Sequence, residues 1–206
     1  MANLNYIVIE GPPGAGKALL MDFLAKKRGA RKILDDISSN NFLEKFISRP
    51  KQYALSVQLS FLMERHQKLR EIMQYDLFHD VMISDFLFEK NFIYANVILN
   101  KAELVLFNRV AEYFRGELPH PDMVIYIQAN KEFIQRKPRT GFRDEMIASL
   151  CEAYNHFFFH YEDAPVIVIR PDQLNLKDEN DLEEINKFIN RDIKNTVYFL
   201  KRGELF

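Results

Sequence analysis

At 206 residues with 48% hydrophobic side chains, the chain carries enough apolar material for one substantial core, which excludes a disordered segment and a miniature disulfide scaffold. The 28 Lys and Arg nearly balance the 29 Asp and Glu, leaving a formal charge of −1 and no compositional support for a broad face that binds duplex nucleic acid. The single cysteine, Cys151, cannot close an intramolecular disulfide, no apolar run is long enough to span a membrane, and no leader-like stretch precedes the first strand, so a cytoplasmic setting is expected.

The first predicted strand, Tyr6 to Glu10, runs directly into GPPGAGKALL and then into an apolar helical pattern from Ala18 to Arg28. The order strand, glycine-rich turn, helix gives a Walker A match its physical content. Gly11, Gly14 and Gly16 let backbone N–H groups turn inward around phosphate oxygens, and the helix start adds unpaired N–H groups and a positive dipole end. The phosphate-binding set is therefore Gly11, Gly14, Ala15, Gly16, Lys17 and Ala18, with the Lys17 ammonium bridging the outer phosphates. The plainer reading is a tight turn with a surface lysine. One position departs from the motif: a Ser or Thr hydroxyl is expected after the lysine to coordinate magnesium, and Ala18 stands there.

The second strand, Lys32 to Leu34, is the weakest and ends at Asp35 and Asp36. Helices are predicted over Phe42 to Ile47 and Pro50 to Gln74, Pro50 suiting a first helical turn. On the longer one, Gln58, Leu62 and Arg65 share a face by i, i+4, i+7 spacing, with Ser56 competing for the role of Gln58 in a shifted register. The third strand, Val81 to Ser84, ends at Asp85, where open parallel sheets place ligands and P-loop enzymes keep a metal-organising acid; a helix cap is the alternative. Helices at Phe88 to Leu99 and Lys101 to Arg115 lead to a fourth strand, Met123 to Gln128. After it, Asn130-Lys131-Glu132-Phe133 approaches the guanine-reading Asn-Lys-x-Asp signature but lacks its aspartate, which argues against a Ras-type GTPase.

The basic stretch from Lys137 to Gly141 breaks the helical pattern, with Arg136, Arg139 and Arg143 around it. A helix from Glu145 to Tyr161, a strand from Val166 to Ile169, a helix from Glu179 to Asn190 and a tail over 195–206 complete the chain. Phe157, Phe158 and Phe159 sit at three successive helical positions, which face most of the circumference and read as core and subunit packing rather than one cofactor face. Five nearly continuous apolar strands alternating with helices predict an α/β fold, a three-layer P-loop domain with a five-stranded parallel sheet.

Read together, IEGPPGAGK, ILDDISSNNFLEKF, QLSFLMERHQ, ISDFLFEKNFIYA, PDMVIYIQA and the basic stretch before EAYNHFFFHY resemble, in this order and spacing, the deoxynucleoside kinase family, particularly its bacterial members. The resemblance covers roughly residues 5 to 171 and implies ATP-dependent, magnesium-requiring phosphorylation of a deoxyribonucleoside 5′-hydroxyl by a homodimer. It assigns Asp35 as the carboxylate that accepts the hydroxyl proton, where the family usually has Glu. It makes Asp85 the acidic member of an Asp/Glu motif and, with Asp35, a candidate magnesium ligand. Many animal members follow that acid with arginine, whereas Phe86 follows here, so the arginine's role is absent or supplied elsewhere. Arg136, Arg139 and Arg143 resemble the family's lid arginines, Glu145 an acidic position that touches the sugar or orients the lid, Gln58 the base-reading glutamine and Arg65 an arginine that orders the site. A nucleotide-binding member with weakened catalysis, and a kinase acting on a nucleoside monophosphate or another metabolite, remain alternatives.

Overall fold

Alternate residues of β1 (Tyr6–Glu10) pass to opposite faces of a sheet: Tyr6 and Val8 join one apolar cluster, Ile7 and Ile9 another. The same division runs through β4 (Met123–Ile127) and β5 (Val166–Ile169), so these strands need cover on both sides, which is why their sequences are apolar runs rather than alternations. The structure is a computed structural model that describes residues 4–72, 80–116, 118–136 and 144–200.

The sheet is wholly parallel, in the order β2-β3-β1-β4-β5-β6, where β2 is Arg31–Ile33, β3 Met82–Ser84 and β6 Val197–Tyr198. From β1 the chain builds β2 and β3 on one side and the remaining strands on the other, so the carboxyl end of β1 lies where the winding changes direction, the customary ligand position in such sheets. One face is covered by α3 (Pro50–Ile72), α4 (Lys90–Ile98), α5 (Lys101–Phe114) and part of α7 (Asp144–Phe159). The other carries α1 (Lys17–Arg28), α6 (Lys131–Gln135) and α8 (Glu179–Ile189), while α2 (Leu43–Ser48) packs on α3. Helix α7 serves both clusters: Leu150, Tyr154 and Phe158 go to the first, Ile147 and Cys151 to the second.

Several boundaries have local causes. Asn100 caps α5 in a complete capping box with Glu103, and Asn130 accepts from the Phe133 amide to start α6. That cap is what the segment resembling a guanine signature does. The sequence did not announce helix α6 or the two-residue β6, the latter making six strands among the described residues rather than five. β6 was hidden because Val197 and Tyr198 give too short an apolar run to register as a strand; they pair with Ile167 and Val168, and Phe199 then buries against Phe188. The three phenylalanines of α7 separate as their spacing requires: Phe158 stacks on Tyr126 at 4.2 Å between ring centroids, Phe157 is half-buried and Phe159 is exposed.

Candidate active site

The turn after β1 has the geometry its glycines allow. Gly16 caps α1 at φ 108° and offers no side chain to the helix start; the Leu19 amide turns back to the Gly16 carbonyl at 3.2 Å, and the positive end of the helix dipole faces the turn. Gly11 has φ 153°, and a Cβ there would stand 2.7 Å from the Ile127 carbonyl oxygen, so the loop passes too close to β4 for any other residue. Ala15 is fully buried and its amide closes a turn on the Pro12 carbonyl. The Lys17 ammonium donates to the Gly11 carbonyl at 2.7 Å. Burial and then the charge of Lys90 pull Lys17 down to about 8, against the opposing pull of Glu10, Asp85 and Asp35. Ala18, one residue on, is exposed.

Beyond β2 the two aspartates divide. Asp36 faces solvent and caps a 3₁₀ turn over Ile37–Ser39 by accepting from the Ser38 amide. Asp35 turns inward, its side chain 6% exposed, and is gripped on both sides. Arg65 of α3 donates Nε to Oδ1 at 3.0 Å and Nη2 to Oδ2 at 2.9 Å, a bidentate fork, while the Lys90 ammonium reaches Oδ2 at 2.9 Å. Burial alone would raise the Asp35 carboxyl, but the charges of Lys90 and Arg65 and their hydrogen bonds overcome it and hold the group far below the usual carboxylate range. The converse holds for Lys90: desolvation is outweighed by Asp35 and then Glu10, and its ammonium stays protonated.

Asp85 does not cap α4. Its Oδ1 accepts the Asp35 amide at 2.7 Å, tying the carboxyl ends of β2 and β3 together. Glu10 is fully buried and accepts from the amides of Gly11 and Leu87 and from the Tyr154 hydroxyl, so it fixes the start of the phosphate loop against α7 and the segment after β3. The remaining guanidinium donor, Arg65 Nη1, goes to Asn91 Oδ1 at 2.8 Å, and Asn91 is itself held by the Phe88 carbonyl.

With Glu10 and Asn91 behind them, the other groups open onto one cavity of about 330 Å³, lined by Gly14, Lys17, Asp35, Asp85, Gln58, Arg65 and Lys90 beside apolar residues that include Phe46, Val57, Phe61 and Tyr94. Polar and apolar sides of one pocket suit a ligand with a charged end and a flat apolar end. Gln58 Oε1 is buried and accepts no hydrogen bond from the described residues. A buried amide oxygen in that position calls for a donor from a ligand or water. Ser56, its competitor by register, is half-buried and does not line the cavity.

The residues expected to form a lid stand differently. Arg136 ends α6 and is exposed, Glu145 is exposed in the first turn of α7, and Arg139 and Arg143 lie outside the described residues. Sequence reasoning missed Lys90, Glu10 and Asn91. A lysine opening a helix reads as a solvated charge, and its one signal was the missing cation at Phe86. Glu10 was visible as a carboxylate closing an apolar strand, a placement that costs too much unless it is bonded.

A family model described as deoxynucleoside kinase matches residues 7–195. The chain belongs to the deoxynucleoside kinase family. Its similarity to a deoxyguanosine kinase of Bacillus subtilis is 31% identity over 131 residues, which span 63% of this chain and 63% of that enzyme. A deoxyadenosine/deoxycytidine kinase of the same organism is 25% identical over 196 residues, covering 88% of this chain and 89% of the relative. Among solved structures, a deoxyadenosine kinase from M. mycoides with bound dATP superposes with a TM-score of 0.79 at 19% identity, over 90% of this chain and 100% of the other. That likeness extends to the parallel sheet and its flanking helices.

Proposed function

We infer that this deoxynucleoside kinase family member transfers the γ-phosphoryl of ATP to the 5′-hydroxyl of a deoxyribonucleoside. The observation that carries the reading is the single cavity that joins a phosphate loop and its lysine to a buried carboxylate and to a buried amide oxygen in need of a donor. Lys17 and the loop amides hold the triphosphate. Gln58 takes a hydrogen bond from the base, with Val57, Phe61 and Tyr94 as apolar walls, and Asp35 receives the 5′-hydroxyl.

In the transfer, the 5′-oxygen forms a bond to the γ-phosphorus as the bond to the bridging oxygen of ADP breaks, and the hydroxyl proton passes to Asp35. A carboxylate held so far below its usual range is a poor proton acceptor at equilibrium. That is tolerable in a loose transition state, where the nucleophile loses its proton late, so Asp35 chiefly orients the hydroxyl and takes the proton once the new bond has made it acidic.

Among the described residues no cluster of three or more His, Cys, Asp or Glu side chains could cage a metal ion. Magnesium needs no such cage, since it is commonly held by one or two carboxylates, water and the substrate's own phosphates, and Asp85 in the cavity fits that role. Asp35, already shared by two cations, is the weaker candidate. The ion would neutralise charge on the phosphates. Arg136, Arg139, Arg143 and Glu145 are assigned to the lid by the family resemblance. A homodimer is part of the same proposal, supported by Met63 of α3 and Val105, Leu106 and Tyr113 of α5, large apolar side chains that are exposed. So is a cytoplasmic setting, supported by the free, buried Cys151; no described helix is long and apolar enough to cross a membrane.

With ATP and magnesium the protein is expected to phosphorylate at least one of the four common deoxyribonucleosides and to prefer it over the corresponding monophosphate. Intact ATP binding without any such turnover would favour the second reading, a weakened nucleotide-binding member, which Ala18 motivates. Ala18→Ser separates the two. If Asp85 and phosphates already hold the ion, kcat should change by less than about threefold, whereas a gain of roughly a hundredfold would mark a degenerate metal site.

A further inference from the structure

We propose that Lys90 bridges the Asp35 carboxylate and the transferred phosphoryl group, supplying the cation that many animal members of the family carry directly after the acid of the third strand. The proposal rests on the kinase reading above. Position 86 cannot supply that charge, because Phe86 is fully buried within the apolar cluster on the helix-rich face of the sheet. The next cation along the chain is Lys90, the first residue of α4, and its side chain, 7% exposed, lines the same cavity as Lys17.

Two observations separate this role from simple neutralisation of Asp35. Arg65 already engages both carboxylate oxygens through its fork, so Asp35 has a complete partner without Lys90. Moreover, Lys90 lies close enough to Lys17 to depress it, so two ammonium groups converge on the pocket beside the phosphate loop. Glu10, Asp35 and Asp85 offset part of the repulsion between these like charges, Glu10 standing 4.0 Å from the Lys90 ammonium, and a triphosphate entering between the two ammonium groups offsets the rest. An ammonium has three donors on a flexible stem. It can keep one on Asp35 Oδ2 and turn another to a γ-phosphoryl oxygen, which an arginine fork fixed to a carboxylate cannot do as readily. Lys90 stays protonated throughout: the proton lost by the 5′-hydroxyl goes to Asp35, and the charge on the phosphoryl oxygens is met by the ammonium as ADP departs.

The test uses the full chain with MgATP and its best deoxyribonucleoside. Lys90→Gln can still donate an N–H to Asp35 and preserves packing, so it isolates the charge, and Lys90→Met removes both. Both are expected to lower kcat by about a hundredfold or more with the nucleoside KM changed less than about threefold, and Lys90→Arg to recover part of the loss. In Lys90→Gln the alkaline limb of kcat/KM for ATP should also move to higher pH, because Lys17 loses a neighbouring ammonium. A folded Lys90→Gln enzyme with kcat within about threefold of the wild type would overturn the proposal. So would loss of the fold in both neutral variants, which would make Lys90 a structural ion-pair partner. A wild-type protein that turns over no deoxyribonucleoside removes the kinase reading itself, an outcome distinct from an active enzyme indifferent to Lys90.

Discussion

Lys17→Ala is expected to lower kcat/KM for ATP by at least about a thousandfold while leaving the protein folded, because the lysine meets charge that develops on the outer phosphates during transfer. Its effect on stability should run the other way. An ammonium in the folded protein drawn down to about 8, against about 10.4 in an unfolded chain, means that the unfolded state binds the proton more tightly. Below pH 8 the full cost of holding the charged group is present, and it is relieved as pH rises from about 8 towards 10. The variant omits that cost, so its Tm at pH 7 should equal or exceed that of the wild type, and the difference should shrink by pH 10. Catalysis follows the same residue: wild-type kcat/KM for ATP should fall above about pH 8 as free Lys17 loses its proton. Normal turnover by Lys17→Ala would remove the loop from the active site.

What the sequence made legible was whatever depends on local pattern. The strands β1, β4 and β5 were readable because burial on both faces forces continuous apolar runs, and the phosphate loop because its glycines stand between a strand and a helix. The spacing of Gln58, Leu62 and Arg65 put them on one face, and all three are buried there. Short elements escaped. Helix α6 spans five residues and depends on the Asn130 cap, and β6 is defined by pairing with β5 rather than by its own composition. The site was half legible for a related reason. Asp85 could be named from a strand end and Asp35 through the family resemblance, but the cations that hold Asp35 come from α3 and α4, 30 and 55 positions further on by their residue numbers. No local pattern announces that Arg65 points at Asp35 rather than at solvent. Lys90 had still less to mark it, because a lysine in a first helical turn is ordinary until the fold surrounds it with Tyr94, Glu10 and Asp35.

Asp35→Asn is expected to lower kcat by roughly 10²- to 10⁴-fold with a small change in nucleoside KM, since the amide keeps the shape but cannot accept the 5′-hydroxyl proton. The same change carries a separate structural cost. Arg65 and Lys90 would face a neutral group in largely buried surroundings, and breaking a buried pair from one side typically destabilises by roughly 3–5 kcal/mol. The pH dependence has a definite sign. With its folded carboxyl held well below the unfolded value, Asp35 contributes stability that is fully present above about pH 4 and is lost as the pH falls further, so the wild type should lose its advantage over the variant in acid. A double substitution separates the catalytic part from the structural part. Asp35→Asn with Lys90→Gln removes one of the two stranded cations, so the double variant should be more stable than Asp35→Asn alone, a favourable coupling between residues 2.9 Å apart. Its turnover should remain as low as that of the single variant or lower, because neither the proton acceptor nor the ammonium has been restored. If turnover recovered together with stability, the loss in Asp35→Asn would be one of folding, and Asp35 would be a structural carboxylate rather than the group that receives the proton.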